Sequence, residues 1–160
     1  MKVIPALSVV SFLFIAVLTA SGCAVKYISS YDELTDKNVT QLQRKTESFL
    51  IDLGTKDGLP ECSYQNNANF YTETKVDLSA IEVRAKAIPQ NDTTVKQLFL
   101  LNESLNLLEK LHKLKDKKSQ SSGELRCFSP DELLPTRNAF NSSFTAILKL
   151  EFAKKRGEIN

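Results

Sequence analysis

Between residues 95 and 114 the chain places an apolar side chain at every third or fourth position: Val95, Leu98, Leu101, Leu105, Leu108, Leu111 and Leu114. At 3.6 residues per turn these fall on one broad face of a helix. A leucine face of that length must be covered by other elements, so the segment has to fold inside a helical assembly. The spacing predicts a helix from about Asn91 to Lys117, followed by a polar loop, Ser119 to Gly123.

Three further segments supply the cover. Ser30-Tyr31-Asp32-Glu33 has the S-x-x-E form of a capping box and opens a helix running to about Leu53, with Leu34, Leu42, Phe49 and Leu53 as its apolar positions. Gly54 and the Lys56–Pro60 stretch stop it. A second helix spans about Glu61 to Ile88. It carries two interleaved series, Tyr64, Tyr71, Leu78, Ala85 and Asn67, Thr74, Ile81, Ile88, and Pro89 closes it. Ser129-Pro130-Asp131-Glu132 is a second capping box with proline at the first helical position. The helix it opens is expected to break briefly at Pro135, to bury Phe140, Phe144, Ile147 and Leu148, and to end at Gly157. Short connections make sequential helices antiparallel neighbours. The expected fold is all-α, an up-down-up-down antiparallel four-helix bundle with one disulfide.

The amino terminus follows a different logic. Lys2 precedes an uncharged, mostly apolar run from Val3 to Ala20, which ends in small residues and Cys23. That order is a secretory signal rather than a fold element. A retained membrane helix is the rival reading, but it leaves the small residues and Cys23 without a role. Leu18-Thr19-Ala20-Ser21-Gly22-Cys23 resembles the lipobox of bacterial lipoproteins. The resemblance covers the signal and one mature residue, with Ala20 standing where leucine is commonest. It implies cleavage before Cys23, acylation of Cys23 and attachment to a membrane. Ala24, being other than aspartate, implies outer-membrane placement facing the periplasm in an enteric-type cell. Ala-x-Gly also suits ordinary signal cleavage, which would leave a soluble product. The expected organisation is residues 1–22 signal, 23–30 lipidated tether and 31–157 bundle domain.

Loss of the signal leaves 138 residues, and the formal charge drops from +2 to +1 as Lys2 departs. That length buries a core without added staples. A near-neutral chain lacks the strongly basic face of a nucleic-acid binder. Cys62 and Cys127 remain, and in an oxidising compartment the pair is expected to form one disulfide, ahead of free thiols or a metal pair. In an antiparallel bundle both fall at the same end. The tether Ala24 to Ser30 reaches about 25 Å when extended. The turn at Pro89 and the carboxyl terminus therefore sit near the membrane, and Lys154, Lys155 and Arg156 become candidate headgroup contacts. The cysteines and the Ser119–Gly123 loop project away from it.

No catalytic or metal-binding constellation stands out. His112 is the single histidine, and Glu109-Lys110-Leu111-His112 is one E-x-x-H where a di-iron bundle needs two; a surface histidine is expected. No G-x-S-x-G or C-x-x-C-H occurs. Tyr64, Asn67, Tyr71 and Thr74 form an unusually polar stretch of the second helix's inner face. It is either a hydrogen-bonded layer that fixes register or a pocket for a small ligand. Lys110, Lys113, Lys115, Lys117 and Lys118 read as a solvated face or as a contact for an acidic partner. The expected function is a membrane-anchored, non-enzymatic interaction or accessory protein of the envelope without a cofactor. The rival is a small-molecule-binding lipoprotein using the layer at Tyr64 and Tyr71.

Overall fold

The computed structural model describes residues 28–122 and 128–159. Cys23, Cys127, Gly123 and the signal segment lie outside the described residues. The described chain is all-helical. Helix α1 spans Glu33–Thr55, a single 3-10 turn covers Pro60–Cys62, and α2 (Tyr64–Ala87), α3 (Asp92–Ser122) and α4 (Pro130–Ile159) follow. Each long helix packs on two others, with α1 between α2 and α4 and α3 likewise between α2 and α4. The four close into a bundle.

Cross-helix pairs set the directions. On α1 and α2, Asp32 meets Arg84, Lys45 meets Asp77 and Phe49 stacks on Phe70. On α2 and α3, Tyr71 meets His112 and Lys75 meets Glu109. On α3 and α4, Thr94 meets Glu151 and Lys115 meets Glu132. On α1 and α4, Gln43 meets Asn141 and Glu47 meets Arg137. In every pair the number rises on one helix as it falls on the other, so all four contacts are antiparallel.

The core follows the apolar series. It holds Val39, Leu42, Leu50 and Leu53 of α1, Leu78, Ile81 and Ala85 of α2, Leu98, Leu101, Leu105 and Leu108 of α3, and Phe140, Phe144 and Ile147 of α4. Several boundaries and faces differ from the expected ones, each for a physical reason. Asp32, not Ser30, caps α1: its carboxylate accepts from Thr35 N (2.9 Å) and is gripped by Arg84 through two bonds of 2.6 Å. An anion at a helix start is favoured by the dipole, and Arg84 strengthens that choice over a neutral serine. Leu34 is consequently exposed. At α4 the box forms as a reciprocal pair, Ser129 N donating to Glu132 Oε2 (3.0 Å) and Glu132 N to Ser129 Oγ (3.4 Å).

Pro135 does not break α4. Its missing N–H leaves only the Asp131 carbonyl without its helix donor, and Asp131 stands in the exposed first turn, where the loss costs least. Helix α4 also runs through Gly157 to Ile159. Helix α3 continues to Ser122, absorbing Ser119 to Ser122 of the expected loop. Ser119 is buried, seven residues beyond His112 on the same face, and Ser121 Oγ bonds back to the Lys118 carbonyl. The inward stripe of α3 proceeds from Leu105 and Leu108 to His112 and Ser119, so Leu111 (41 % exposed) and Leu114 (52 %) turn outward. The turn between α2 and α3 is closed by Gln90, whose φ of 59° lies in the left-handed region.

Candidate functional site: two buried polar nodes

His112 is the largest departure from expectation. It is fully buried rather than on the surface. Its Nε2 lies 2.8 Å from the Cys62 carbonyl, and its Nδ1 lies 2.8 Å from the Tyr71 hydroxyl. A carbonyl can only accept, so Nε2 carries the proton and donates. In the neutral ring Nδ1 is then an acceptor, and Tyr71 O–H donates to it. The electrostatics agree with a neutral pair. Burial pushes the His112 imidazole below its ordinary value against the opposing pull of the Cys62 carbonyl, and burial also pushes the Tyr71 phenol up. The node thus ties α2, α3 and the 3-10 turn that carries Cys62.

Aromatic rings enclose it. Tyr64 lies 5.7 Å from Tyr71 and 5.8 Å from His112, and Phe128 lies 5.5 Å from His112. Phe49 and Phe70 pack edge-on to Tyr71 at 5.6 and 5.2 Å. Tyr64 hands its hydroxyl outward to Glu109 Oε1 (2.8 Å), which Lys113 also holds, while Lys75 holds Oε2. Burial alone would raise the Glu109 carboxyl, but the bonds from Lys113, Lys75 and Tyr64 together hold it at about 2. Glu109 therefore faces the lysines while His112 faces the core, so this E-x-x-H does not converge on one point. Among the described residues no group of three or more His, Cys, Asp or Glu could hold a metal ion.

The four residues of the polar stretch are brought together here. Asn67 Nδ2 donates to the carbonyls of Glu61 (2.9 Å) and Ser63 (2.7 Å), which pins the 3-10 turn to α2. Tyr64 and Tyr71 bond as above. Thr74 is buried, and its Oγ1 has no hydrogen-bond partner among the described residues. Protein groups hold the Tyr64 and Tyr71 hydroxyls and Asn67 Nδ2, the arrangement of a register-fixing layer.

A second node sits at the opposite end of the bundle. Lys154 is 4 % exposed, which overturns its expected role as a headgroup contact. Its ammonium bonds Asn91 Oδ1 (2.6 Å), Thr94 Oγ1 (2.7 Å) and Glu151 Oε1 (2.5 Å). Thr94 Oγ1 also donates to Glu151 Oε1 (3.0 Å). Ser29 Oγ donates to Asn91 Oδ1 (2.9 Å), and Asn91 Nδ2 donates to the Ala85 carbonyl (2.9 Å). The incoming chain, the end of α2, the start of α3 and the last turns of α4 meet at this one cation. Lys155 and Arg156 are exposed, and Lys155 Nζ stands 5.1 Å from the centre of the Tyr31 ring.

The stripe that carries these residues could have been followed in the sequence. Stepping on from Phe140, Phe144 and Ile147 by four and three lands on Glu151 and Lys154, and stepping on from Leu105 and Leu108 lands on His112. Comparison with family models, curated proteins and solved structures finds no match for the chain.

Each node has a distinct signature in unfolding. The unfolded chain binds a proton at His112 near pH 6.5, whereas the folded chain resists it. Stability is therefore full above about pH 6.5 and falls as pH drops below it. Urea unfolding between about pH 7.5 and 5 will show this slope, and His112→Gln will flatten it; an unchanged slope in the variant would sink the assignment. Replacing Lys154 with Met strands Glu151 as an unpaired buried charge and should cost about 3–5 kcal/mol. Adding Glu151→Leu to Lys154→Met should recover most of that loss in a double-mutant cycle.

Proposed function

We propose that the chain is a lipoprotein of the bacterial envelope, moored through Cys23 and acting on a protein partner without catalysis. One observation carries the interaction reading. Leu100, Leu107, Leu111 and Leu114 are 47 %, 56 %, 41 % and 52 % exposed. Their spacing of seven, four and three puts them on one outward stripe of α3. Lys110, Lys117 and Lys118 flank it and have no carboxylate partner among the described residues, whereas Lys113 and Lys115 are paired with Glu109 and Glu132. Four half-exposed leucines on one helix face form an apolar patch of the kind that marks a protein contact. The partner this chemistry fits is an apolar segment with acidic flanks.

Mooring and polarity belong to the same reading. Ser29 enters the bundle at the Lys154 node and Cys62 sits at the other end, which supports a mooring with the Lys154 end toward the membrane. Cys62 and Cys127 form the disulfide of the far end. Its support is local: Cys62 is 3 % exposed, its carbonyl is held by His112, and His112 packs on Phe128, the residue after Cys127. Ala24 favours the outer membrane, with the bundle in the periplasm.

Two measurements test the reading. A photo-crosslinking residue at position 107 of the full-length protein, expressed at its native level, should capture one partner. Lys110→Glu should weaken the capture, and no adduct, or adducts to lipid alone, would count against a protein contact. Denatured protein should take up no maleimide before reduction and label two thiols afterwards, with Cys23 blocked by its lipid. In the chain-entropy model reduction should lower stability by up to about 4 kcal/mol. Labelling before reduction would refute the disulfide.

A further inference from the structure

The last turns of α4 sort their cations between two environments. Lys154 turns inward and is matched by Glu151. Lys149, Lys155 and Arg156 turn outward and, with Phe152, line a shallow depression of about 420 Å³. Phe152 is 49 % exposed, although the core of α4 is already filled by Phe140, Phe144 and Ile147. A solvated helix end accounts for the cations but not for a phenylalanine set among them. The chain enters at this same end, where Ser29 is buried and Ile28, beside it, is 46 % exposed.

From these placements we infer that Phe152, ringed by Lys149, Lys155 and Arg156, is a seat for the anionic headgroup surface of the membrane. The inference rests on the mooring proposed above and adds the surface with which the bundle meets the lipid. An aromatic ring at headgroup depth, with long cationic side chains reaching to phosphates, is the usual composition of an interfacial contact. Each cation near an anionic surface strengthens attachment severalfold, so three together contribute on the order of a hundredfold. The short run from Cys23 to Ser29 spans about 20 Å at most. The tether therefore keeps the seat within reach of the bilayer, and the seat fixes the bundle's tilt.

The chain has no tryptophan, so Phe152→Trp introduces a single reporter. The full-length protein carrying it would be placed in phosphatidylcholine vesicles with or without phosphatidylglycerol, all containing bromine-labelled acyl chains. Emission in the anionic vesicles should shift to the blue and be quenched, and rising salt should weaken both effects. Changing Lys149, Lys155 and Arg156 to Ser should remove at least half of the quenching. A tryptophan at position 59, in the α1–α2 connection at the far end, should stay unquenched. Equal emission in both vesicle types, an unaffected triple variant, or equal quenching at position 59 would overturn the seat. So would inorganic phosphate alone shifting Trp emission as fully as the vesicles do, since that is a soluble-anion site. Flotation and the acyl mass on Cys23 report the mooring separately, and quenching by added vesicles can be read whether or not Cys23 is acylated.

Discussion

A lysine ammonium carries three N–H donors, and at Lys154 the protein meets all three with Asn91, Thr94 and Glu151. Taking a charge out of water is costly; Glu151 Oε2 has no hydrogen-bond partner among the described residues, so the offset rests on the ammonium's three bonds. Completing them requires α3 to start where Asn91 and Thr94 can reach α4, and α4 to extend into its last turns. It also requires α2 to end where Asn91 can take the Ala85 carbonyl. Oδ1 of Asn91 still has room for Ser29, so the incoming chain joins the same arrangement. Three stretches of chain far apart in sequence, at Ser29, at 85–94 and at 151–154, thus share one geometric requirement. Register between α3 and α4 is set here, because a slip would part the ammonium from Asn91 and Thr94.

The far end solves a different problem with neutral groups. His112 links the Cys62 carbonyl to Tyr71 without burying a formal charge. A buried backbone carbonyl needs a donor, and the 3-10 turn has too few residues to supply its own ladder. Imidazole supplies the donor from α3 and the acceptor for α2 in a single planar ring. The surrounding rings of Tyr64, Phe128, Phe49 and Phe70 exclude water and hold the ring neutral. Asn67 does the same work for the carbonyls of Glu61 and Ser63. Both ends of the bundle are therefore fixed by polar contacts across helices, and the leucine-rich middle supplies the apolar area.

Much of the architecture was legible because it depends on local rules. The Ser129–Glu132 box, the stop at Pro89 and the interleaved series of α2 each act within a few residues, and together they specify four antiparallel helices. The residues misplaced on sequence grounds, His112, Lys154, Ser119, Leu111 and Leu114, share one cause. For His112 and Lys154 the apolar stripe reaches the position, but a polar residue there turns inward only where another helix offers it a partner, which the sequence pattern does not show. A histidine among lysines reads as solvated until Tyr71 and the Cys62 carbonyl are placed opposite it. Once His112 occupies the inward position, the rotation of the helix turns Leu111 and Leu114 outward. The candidate contact stripe was half hidden for the same reason: counting Leu111 and Leu114 as core left Leu100 and Leu107 as isolated exposed leucines.

The inward turn of Lys154 also bears on what the surface of α4 can do. Had all of Lys154, Lys155 and Arg156 faced solvent, the helix end would be a simple cationic tip, fully explained by its dipole. With Lys154 withdrawn, the remaining cations stand with Lys149 around Phe152 on the outer side of the helix rather than at its end. A tip touches a membrane at a point and leaves the bundle free to pivot, whereas a lateral patch resists pivoting. If the bundle is held in this way, α3 keeps one orientation relative to the bilayer, and its leucine stripe is presented along a fixed direction. The buried ion pair would then govern both contacts, holding α3 and α4 in register and deciding which face of α4 is left for the lipid.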